Sequence, residues 1–307
     1  MEKDNLNIED SIEEVDCIVD CIDEIEDNLN IEDTESKVDN GVALVNENKK
    51  EGMQKVYPIL LGLSLTVCVY SGYKYVMNLR DKGITDKKNN IVLELGKPEV
   101  VEDKHPYLEV DLAPLREKNP DVVGWLKIDS VGIDIPIVQT TDNKFYLDND
   151  IDKKKNSGGW VFADCKANLD HMSTNSVLYG HNLRGRHFGL LKKLLDEEVS
   201  SKEGAGIIQL TTTNKQMVFE VVSVYITNYD DWDYVKTSFA SDVERGNFVN
   251  RMIDKNKVEA FKKDSLSGYD NYLTFSTCHG AVGTDKRLVV HSRLIASRSV
   301  PEKDKVN

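Results

Sequence analysis

The sequence predicts a mainly β domain whose strands form an eight-stranded barrel, preceded by a single transmembrane helix. Two observations indicate this fold. Between residues 122 and 297, eight short segments rich in β-branched and aromatic residues are separated by Gly, Asn, Asp and Lys. Further upstream, the segment 56–79 is apolar over its first eighteen positions. Eight strands at such close spacing favour a closed or nearly closed barrel.

The predicted elements follow one another along the chain in a definite order. The strands cover residues 122–128, 131–139, 158–164, 175–181, 205–213, 216–227, 271–278 and 286–297. An N-terminal helix is predicted over 111–119, ended by Pro120, and a second over 188–196. A third, over 241–256, begins with the capping box Ser241-x-x-Glu244 and lies in a late strand-connecting loop. Long barrel loops of this kind often shape a binding groove.

The segment 56–79 is predicted to cross a lipid bilayer. As a helix it would be about 34 Å long, enough to span the hydrocarbon core. A buried core helix and a cleaved signal peptide are the alternatives. The segment lacks the polar face of the former and begins too far from the N-terminus for the latter. The predicted domains are therefore an acidic tail (1–55), a transmembrane helix (56–79), a polar linker or stalk (80–104) and a folded domain (105–307).

Charge is concentrated in the tail. Residues 1–50 hold 17 acidic residues against 4 lysines, a net charge of −13, which leaves −1 for the rest of the chain. Such a tail is repelled by nucleic acid, and no basic cluster with interleaved aromatic residues exists elsewhere, so we expect no nucleic-acid partner. Residues 12–29 have the spacing of an amphipathic helix, but so many like charges equally favour disorder.

The five cysteines, Cys17, Cys21, Cys68, Cys165 and Cys278, form no CxxC pair and no zinc-binding pattern. An odd number without a framework predicts at least one free thiol, and we expect no metal and no cofactor. Cys165 is interpreted as a structural thiol.

Cys278 is the candidate nucleophile. It ends the strand "LTFSTC", with Ser276 and Thr277 before it and a glycine-containing loop after it. A buried, inert cysteine is the alternative. A thiol is mostly protonated at neutral pH, so a catalytic one needs a base or a positive field nearby.

His181 and Arg287 are the candidate partners of this thiol. Among six histidines, His181 ends a strand beside a glycine, whereas His279 is adjacent to Cys278 and diverges from it, and His291 lies inside a strand. Arg287 follows Cys278 by nine residues and could stabilise charge that develops on a carbonyl oxygen. Arg293, in the same strand, is its competitor.

These residues resemble the sortases. The resemblance is carried by "LYGHN", "LTFSTC" and Arg287 nine residues after Cys278. The segment "NPDVVGWLKIDSVGIDIPIVQTTDNKFYLDND" (119–150) and the late-loop helix are similar to class B in particular. Sortases are membrane-anchored cysteine transpeptidases of Gram-positive bacteria with an eight-stranded barrel. The resemblance implies cleavage of a C-terminal sorting signal after threonine, through a thioester, and transfer to an amine.

The resemblance also implies residue roles and partners. Cys278 is the nucleophile, His181 the proton-transfer group and Arg287 the group that steadies substrate or oxyanion. The implied substrate-binding residues are Asn143, Leu147, Tyr234, Ser276 and Thr277. The implied partners are proteins with an NPxTN- or (N/S/P)PxTG-like signal and a peptidoglycan precursor or cross-bridge amine. The implied location is the cell membrane, single-pass, with the N-terminus cytoplasmic and the catalytic domain extracellular.

Two departures from the family and three alternative functions stay open at this point. Phe275 stands where leucine is more usual, and the acidic tail is longer than the family normally carries. The basic residues around 56–79 mildly favour the opposite orientation. The alternatives are a membrane-tethered cysteine protease that only hydrolyses, a pilin-polymerising sortase, and a non-catalytic surface module.

Overall fold

The computed structural model of the chain describes residues 46–102, 104–263, 265–280 and 284–301. The chain divides into two compact units, Met1–Val67 and Cys68–Asn307, and the second contains the barrel. The predicted acidic tail and its candidate helix at 12–29 lie outside the described residues, except for residues 46–55.

The described elements have the following bounds. The helices are α1 Asn46–Gly96, α2 Ala113–Lys118, α3 Glu197–Ser200 and α4 Asp242–Lys255, with 3-10 helices at Phe145–Leu147, Phe188–Leu195 and Glu259–Phe261. The strands are β1 Glu99–Glu102, β2 Pro106–Glu109, β3 Val122–Ile128, β4 Ile133–Val138, β5 Phe162–Ala163, β6 Asn175–Tyr179, β7 Asn182–Leu183, β8 Arg186–His187, β9 Ile207–Thr212, β10 Lys215–Asn228, β11 Tyr272–Cys278 and β12 Lys286–Ser299.

The prediction of a mainly β, eight-stranded barrel is confirmed. The closed barrel has the order β10-β12-β11-β6-β5-β4-β3-β9. All eight predicted strands are present, and β11 runs parallel to β6 and antiparallel to β12. Alternate residues of a strand point to opposite faces. In β11 this places Leu273 and Phe275 in the main apolar core, and Ser276 and Cys278 on the outer face.

The outer face of β10, β11 and β12 is covered by the long connection that carries α4. Phe248 and Met252 of α4 pack against Tyr272 of β11, and Tyr234 packs against Val289 of β12. The helix begins as predicted, because the Ser241 hydroxyl accepts a hydrogen bond from the backbone N–H of Glu244 at 3.2 Å. This second layer forms a wall beside the outer end of β11.

The predicted linker over 80–104 is instead part of the folded unit. Helix α1 continues to Gly96, and β1 pairs with β2 across the segment 99–109. Thr85 and Val92, two helical turns apart, are buried, and Gly96 lies so close to Trp125 that a Cβ would be 2.4 Å from the indole ring. The first half of the segment contacts the domain through polar side chains at 81–89. Its apolar contacts, such as Val92 and Leu95, come only in the second half, so no apolar stripe runs along the whole segment.

The predicted transmembrane segment, 56–79, lies within α1. Among the described residues, no helix combines the length and the apolar character needed to cross a bilayer. The transmembrane prediction is therefore unconfirmed.

Candidate active site

Strand pairing brings Cys278, Arg287 and His181 to one rim of the barrel. Cys278 and Arg287 are directly opposed in the antiparallel β11–β12 ladder, so their side chains share a face. Strand β6 runs parallel to β11 with Tyr179 beside Ser276, and the Gly180 N–H donates to the Ser276 carbonyl at 3.3 Å. His181 follows one residue later, and so leaves β6 level with Cys278.

Tyr234 closes the site from the side of the long connection. Its ring is buried, and its hydroxyl lies 3.3 Å from the Ser276 hydroxyl. Burial raises the pKa of Tyr234. Hydrogen bonding to Ser276 and the charge of Arg287 oppose this rise, whereas Cys278 adds to it. The pKa of the Tyr234 phenol is thus affected by Ser276, Cys278 and Arg287, so these four residues form one cluster.

The imidazole of His181 is held by a backbone carbonyl. Its Nε2 lies 2.7 Å from the carbonyl oxygen of Leu147, at the end of the 3-10 helix Phe145–Leu147. A carbonyl can only accept a hydrogen bond, so Nε2 must carry the proton. In the neutral ring this leaves Nδ1 as the basic nitrogen.

Gly159 packs beneath this contact. It has a φ of 56°, and a Cβ there would be 2.7 Å from the Leu147 carbonyl oxygen and 3.0 Å from Cδ2 of His181. Glycine adopts such a φ without penalty and leaves the space that the ring and the carbonyl need. A small residue behind the histidine therefore sets how close the ring lies to Leu147.

The guanidinium of Arg287 is tied to its own loop. Its Nη1 donates to the carbonyls of Thr284 at 2.9 Å and Lys286 at 3.0 Å, and the group lies 5.9 Å from the centre of the Tyr229 ring. Among the described residues, no hydrogen-bond partner occupies Nε or Nη2. These donors can serve a substrate carbonyl.

The competitors predicted from sequence lie elsewhere. Arg293 is paired with Tyr272, at the opposite end of β11 from Cys278, and forms an ion pair with Glu220. His291 is fully buried within β12. The geometry therefore favours Arg287 and His181 for a site that includes Cys278.

Comparison with known proteins identifies the family of the chain. The family described as Sortase domain matches residues 126–295, more than half of the chain and all three rim residues. The chain belongs to the sortase family. Its relatives place it in class B: it is 29% identical to "Sortase B" of Listeria monocytogenes over 247 residues, covering 76% of this chain and 97% of the relative. It is 26% identical to "Sortase B" of Staphylococcus aureus, covering 79% and 98%.

Solved structures of class B sortases are similar as well. The crystal structure of sortase B from Bacillus anthracis in complex with AAEK1 matches with a TM-score of 0.60 and 29% identity, over 71% of this chain and 99% of that one. Sortase B from Clostridium perfringens matches with a TM-score of 0.54 and 32% identity, over 59% and 98%. This class B sortase is thus a cysteine transpeptidase of the kind that anchors proteins to the cell wall.

Two of the predicted substrate-binding residues of this sortase lie at the rim in unexpected roles. Asn143 donates to a carboxylate oxygen of Asp164 at 2.8 Å and accepts from the backbone N–H of Cys165 at 2.8 Å. Its side chain therefore braces neighbouring backbone. Leu147 has an exposed side chain, and its carbonyl holds His181.

Tyr179 is a rim residue that the sequence prediction missed. Its hydroxyl donates to the same Asp164 oxygen at 3.0 Å, and burial, reinforced by the charge of Asp164, raises its pKa. Its position beside Ser276 in the parallel ladder puts its side chain on the outer face of the barrel. The signal was available, since residues two apart in a strand share a face and Tyr179 precedes His181 by two.

The structure separates Thr277 from the rest of the predicted set. Thr277 follows Ser276 and precedes Cys278 in β11, so its side chain points to the opposite face. Its side chain is 3% exposed, and the hydroxyl has no hydrogen-bond partner among the described residues. The prediction that Thr277 binds substrate stays a prediction, and the direction of the side chain gives it no support.

Proposed function

We propose that Cys278, His181 and Arg287 are the catalytic residues and that the enzyme cleaves a C-terminal sorting signal after its threonine, then joins the threonine to a peptidoglycan amine. The observation that carries the proposal is the register. Cys278 faces Arg287 across β11–β12, and the parallel β6–β11 pairing sets His181 at the same level.

In the first step, the Cys278 thiolate attacks the threonine carbonyl carbon. The carbonyl oxygen gains negative charge, which the free donors of Arg287 stabilise. As the intermediate collapses, the carbon–nitrogen bond breaks and the imidazolium of His181 gives the Nδ1 proton to the leaving amine. The products are a thioester on Cys278 and the released C-terminal peptide.

In the second step, an amine attacks the thioester carbon. Neutral His181 takes the proton from the amine at Nδ1, the new carbon–nitrogen bond forms, and the carbon–sulfur bond breaks to restore the thiolate. The Leu147 carbonyl keeps the Nε2 proton in place through both steps, which fixes the tautomer and aims Nδ1 at the reacting atoms. Hydrolysis differs only in that water replaces the amine.

The substrate groove is proposed to follow the outer face of β11 and β6. Ser276 and Tyr234 form one wall, and Leu147, with the Asn143–Asp164–Tyr179 network, forms the other. We propose an NPxTN- or (N/S/P)PxTG-like signal as the occupant. The acceptor is proposed to be a peptidoglycan precursor or cross-bridge amine.

The proposed location is the cell membrane, with 56–79 as the anchor, the N-terminus in the cytoplasm and the catalytic domain outside. The support is the surface of α1. Val67, Val69, Tyr70 and Tyr73 all leave more than half of their surface exposed. A helix with this many exposed apolar and aromatic side chains is suited to lipid or to a membrane interface.

The test uses the full-length chain in detergent micelles, a library of sorting-type pentapeptides and a choice of amines. Triglycine stands for a cross-bridge, diaminopimelate for a precursor and a lysine-containing peptide for a pilin. Mass spectrometry of the products separates the functions. An amide with the first two amines supports cell-wall transfer, an amide with lysine alone supports a pilin polymerase, and free acid alone supports a protease.

The matched control is Cys278→Ala. It should give no product and no thioester adduct with any peptide. If this variant formed product at the wild-type rate, the catalytic assignment would be wrong. If the wild-type chain formed no product with any peptide and amine, the non-catalytic surface module would be the remaining function.

A further inference from the structure

One polar face of α1 contacts the segments on both sides of the His181 imidazole. We define the docking face as Asp81, Thr85, Asp86, Lys88 and Asn89. Their spacing places them along one side of the helix. The face belongs to the segment that sequence analysis interpreted as a linker.

The first contact is with the loop that returns from Leu147. The Asp81 carboxylate accepts hydrogen bonds from the backbone N–H of Ser157 at 3.1 Å and from its hydroxyl at 2.6 Å. Buried Thr85 accepts from the side-chain amide of Asn156 at 3.2 Å. Lys88 forms an ion pair with buried Asp150 at 2.7 Å. These contacts fix the loop along most of its length.

The loop between Leu147 and Gly159 supports the Leu147 carbonyl and Gly159, which both lie beside the His181 imidazole. The Asn156 N–H donates to the Asp148 carbonyl at 2.8 Å, directly after Leu147. The Asn156 carbonyl accepts from the N–H of Gly159 at 3.0 Å. A displacement of Asn156 is therefore passed to the Leu147 carbonyl on one side and to Gly159 on the other.

The second contact is with the β7–β8 hairpin, which begins at the residue after His181. Asp86 holds Arg186 through two hydrogen bonds, one of them 2.6 Å long from Nη2. The Asn89 side chain lies 3.2 Å from Nε2 of buried His187. Because His187 pairs with Asn182, this contact fixes the chain immediately after His181.

We propose that the docking face of α1 is a positioning element for His181, so that the helix next to the predicted membrane anchor sets the rate of acyl transfer. This inference rests on the proposed function of His181. A proton-transfer group has to lie within hydrogen-bond reach of the reacting atoms, and a displacement of about 1 Å can cost 10²-fold in rate. Asp86 and Asn89 contact Arg186 and His187 of the hairpin and, among the described residues, no member of either groove wall. Their loss should therefore lower kcat and leave KM for the peptide nearly unchanged.

The test compares Asp86→Asn/Asn89→Ala with Glu94→Gln/Asn90→Ala in the full-length chain. The control removes the same charge and the same amide from exposed positions of the same helix. The docking-face variant should lose about tenfold in kcat, with KM within about twofold of wild type, and the control should lose neither. Equal kcat values in the two variants would overturn the inference.

Two further measurements separate positioning from simple stabilisation. Asp86→Glu keeps the carboxylate and should restore most of the lost kcat. Asp86→Asn and Arg186→Gln should together cost no more than either alone, because they remove one shared contact. The inference would also be overturned by a second result. In that result kcat falls only in proportion to the folded fraction measured in urea, and the effects of Asp86→Asn and Arg186→Gln on kcat add. Failure of the proposed function would appear separately, as activity in Cys278→Ala.

Discussion

Two histidines in this chain have opposite surroundings. His291, under the layer that contains α4, is fully buried, with Nε2 bonded to the Tyr225 hydroxyl at 2.8 Å and Nδ1 bonded to the Thr274 hydroxyl at 2.7 Å. Its ring also stacks on that of Tyr225 at 5.6 Å. His181, at the rim, is partly exposed, and its bond to the Leu147 carbonyl uses Nε2 alone.

The difference shows what each imidazole can do. The His291 ring lies deep in an apolar layer with both nitrogens hydrogen-bonded, so it cannot exchange a proton with a substrate. Burial lowers its pKa to about 3. It acts as a hydrogen-bonded packing group. A ring held by one nitrogen is fixed in orientation and still has the other nitrogen for proton transfer. The same side chain thus serves structure in one region and chemistry in the other.

The strongest test of this difference replaces each of the two histidines with alanine in turn. His181→Ala should lower kcat/KM by about 10³-fold, the usual contribution of a proton-transfer group, with unfolding unchanged. His291→Ala should lower the free energy of unfolding by about 2–4 kcal/mol, because it leaves a cavity and removes two buried hydrogen bonds. The molecules of His291→Ala that are folded should have the kcat of the wild-type enzyme.

Peptide cleavage kinetics and urea unfolding, measured on both variants, check this pair of outcomes. The comparison fails if His291→Ala lowers kcat at wild-type stability. It also fails if His181→Ala unfolds more easily and keeps its turnover.

The next largest effect should be a loss of folding stability at low pH. Burial lowers the pKa of both His291 and His187 to about 3. The unfolded chain, with histidine near its ordinary value of 6.5, therefore binds more protons than the folded chain between these values. Stability is complete above pH 6.5 and falls as the pH decreases toward 3. By pH 5 the loss should be about 2 kcal/mol per histidine.

Urea unfolding at pH 7 and pH 5 measures this loss. His291→Gln cannot take up a proton and should reduce the pH dependence by about half, since His187 keeps its share. His171→Gln, at an exposed position, is the matched control. A pH dependence equal to that of wild type in His291→Gln would refute the assignment.

Much of this fold could be predicted from sequence, because its strands alternate and its turns are marked by glycine and polar residues. The strand 122–128 was predicted at its observed bounds, Val122–Ile128, and the long helix of the late loop within one residue. The candidate catalytic residues were found for a related reason. Each stands at a strand end, and strand ends can be recognised from the pattern of the strand itself.

The remainder depends on contacts that no local pattern contains. The hydrogen bond between Leu147 and His181 uses the backbone carbonyl of Leu147. The amino-acid type at position 147 therefore does not predict the bond. The docking of α1 uses polar side chains whose partners are distant in the sequence, as Asp86 is from Arg186, 100 positions later. The inward direction of the Thr277 side chain follows from the alternation of β11, which the composition around Cys278 does not reveal.

Gly159 offers a smaller and more local way to disturb His181. In Gly159→Ala the added methyl would press on the Leu147 carbonyl and the imidazole. We expect kcat to fall about tenfold through displacement of the ring. Gly132→Ala is the control, since Gly132 also has a positive φ, of 82°, but an added Cβ there would meet nothing within 4 Å.

Backbone strain should cost both glycine variants about 1–2 kcal/mol of stability. Gly159→Ala should cost more than Gly132→Ala, because its Cβ would also lie 2.4 Å from the carbonyl oxygen of Tyr146. Only Gly159→Ala should also lose kcat at full folding. If both variants turn over equally, the space behind the imidazole does not set its position.

The smallest expected effect connects the two regions. Buried Asn175 accepts from the Thr274 hydroxyl at 2.6 Å and donates to the carbonyls of Tyr234 at 3.2 Å and Lys236 at 2.9 Å. The network around His291 thereby holds the segment that brings Tyr234 to the groove. Asn175→Ala should loosen that wall and raise KM for the peptide about fivefold, with kcat nearly unchanged, because about 1 kcal/mol of hydrogen bonding is lost from the bound conformation.

Asn271→Ala is the matched control for this last prediction. Asn271 also bridges two backbone carbonyls, those of Met172 and Ser173, both at 3.1 Å, but neither belongs to the segment that carries Tyr234. Its loss should leave KM unchanged. An equal rise of KM in both variants would mean that the buried network stabilises the barrel as a whole. A rise confined to Asn175→Ala would mean that Asn175, which links the network around His291 to Tyr234, supports the substrate wall.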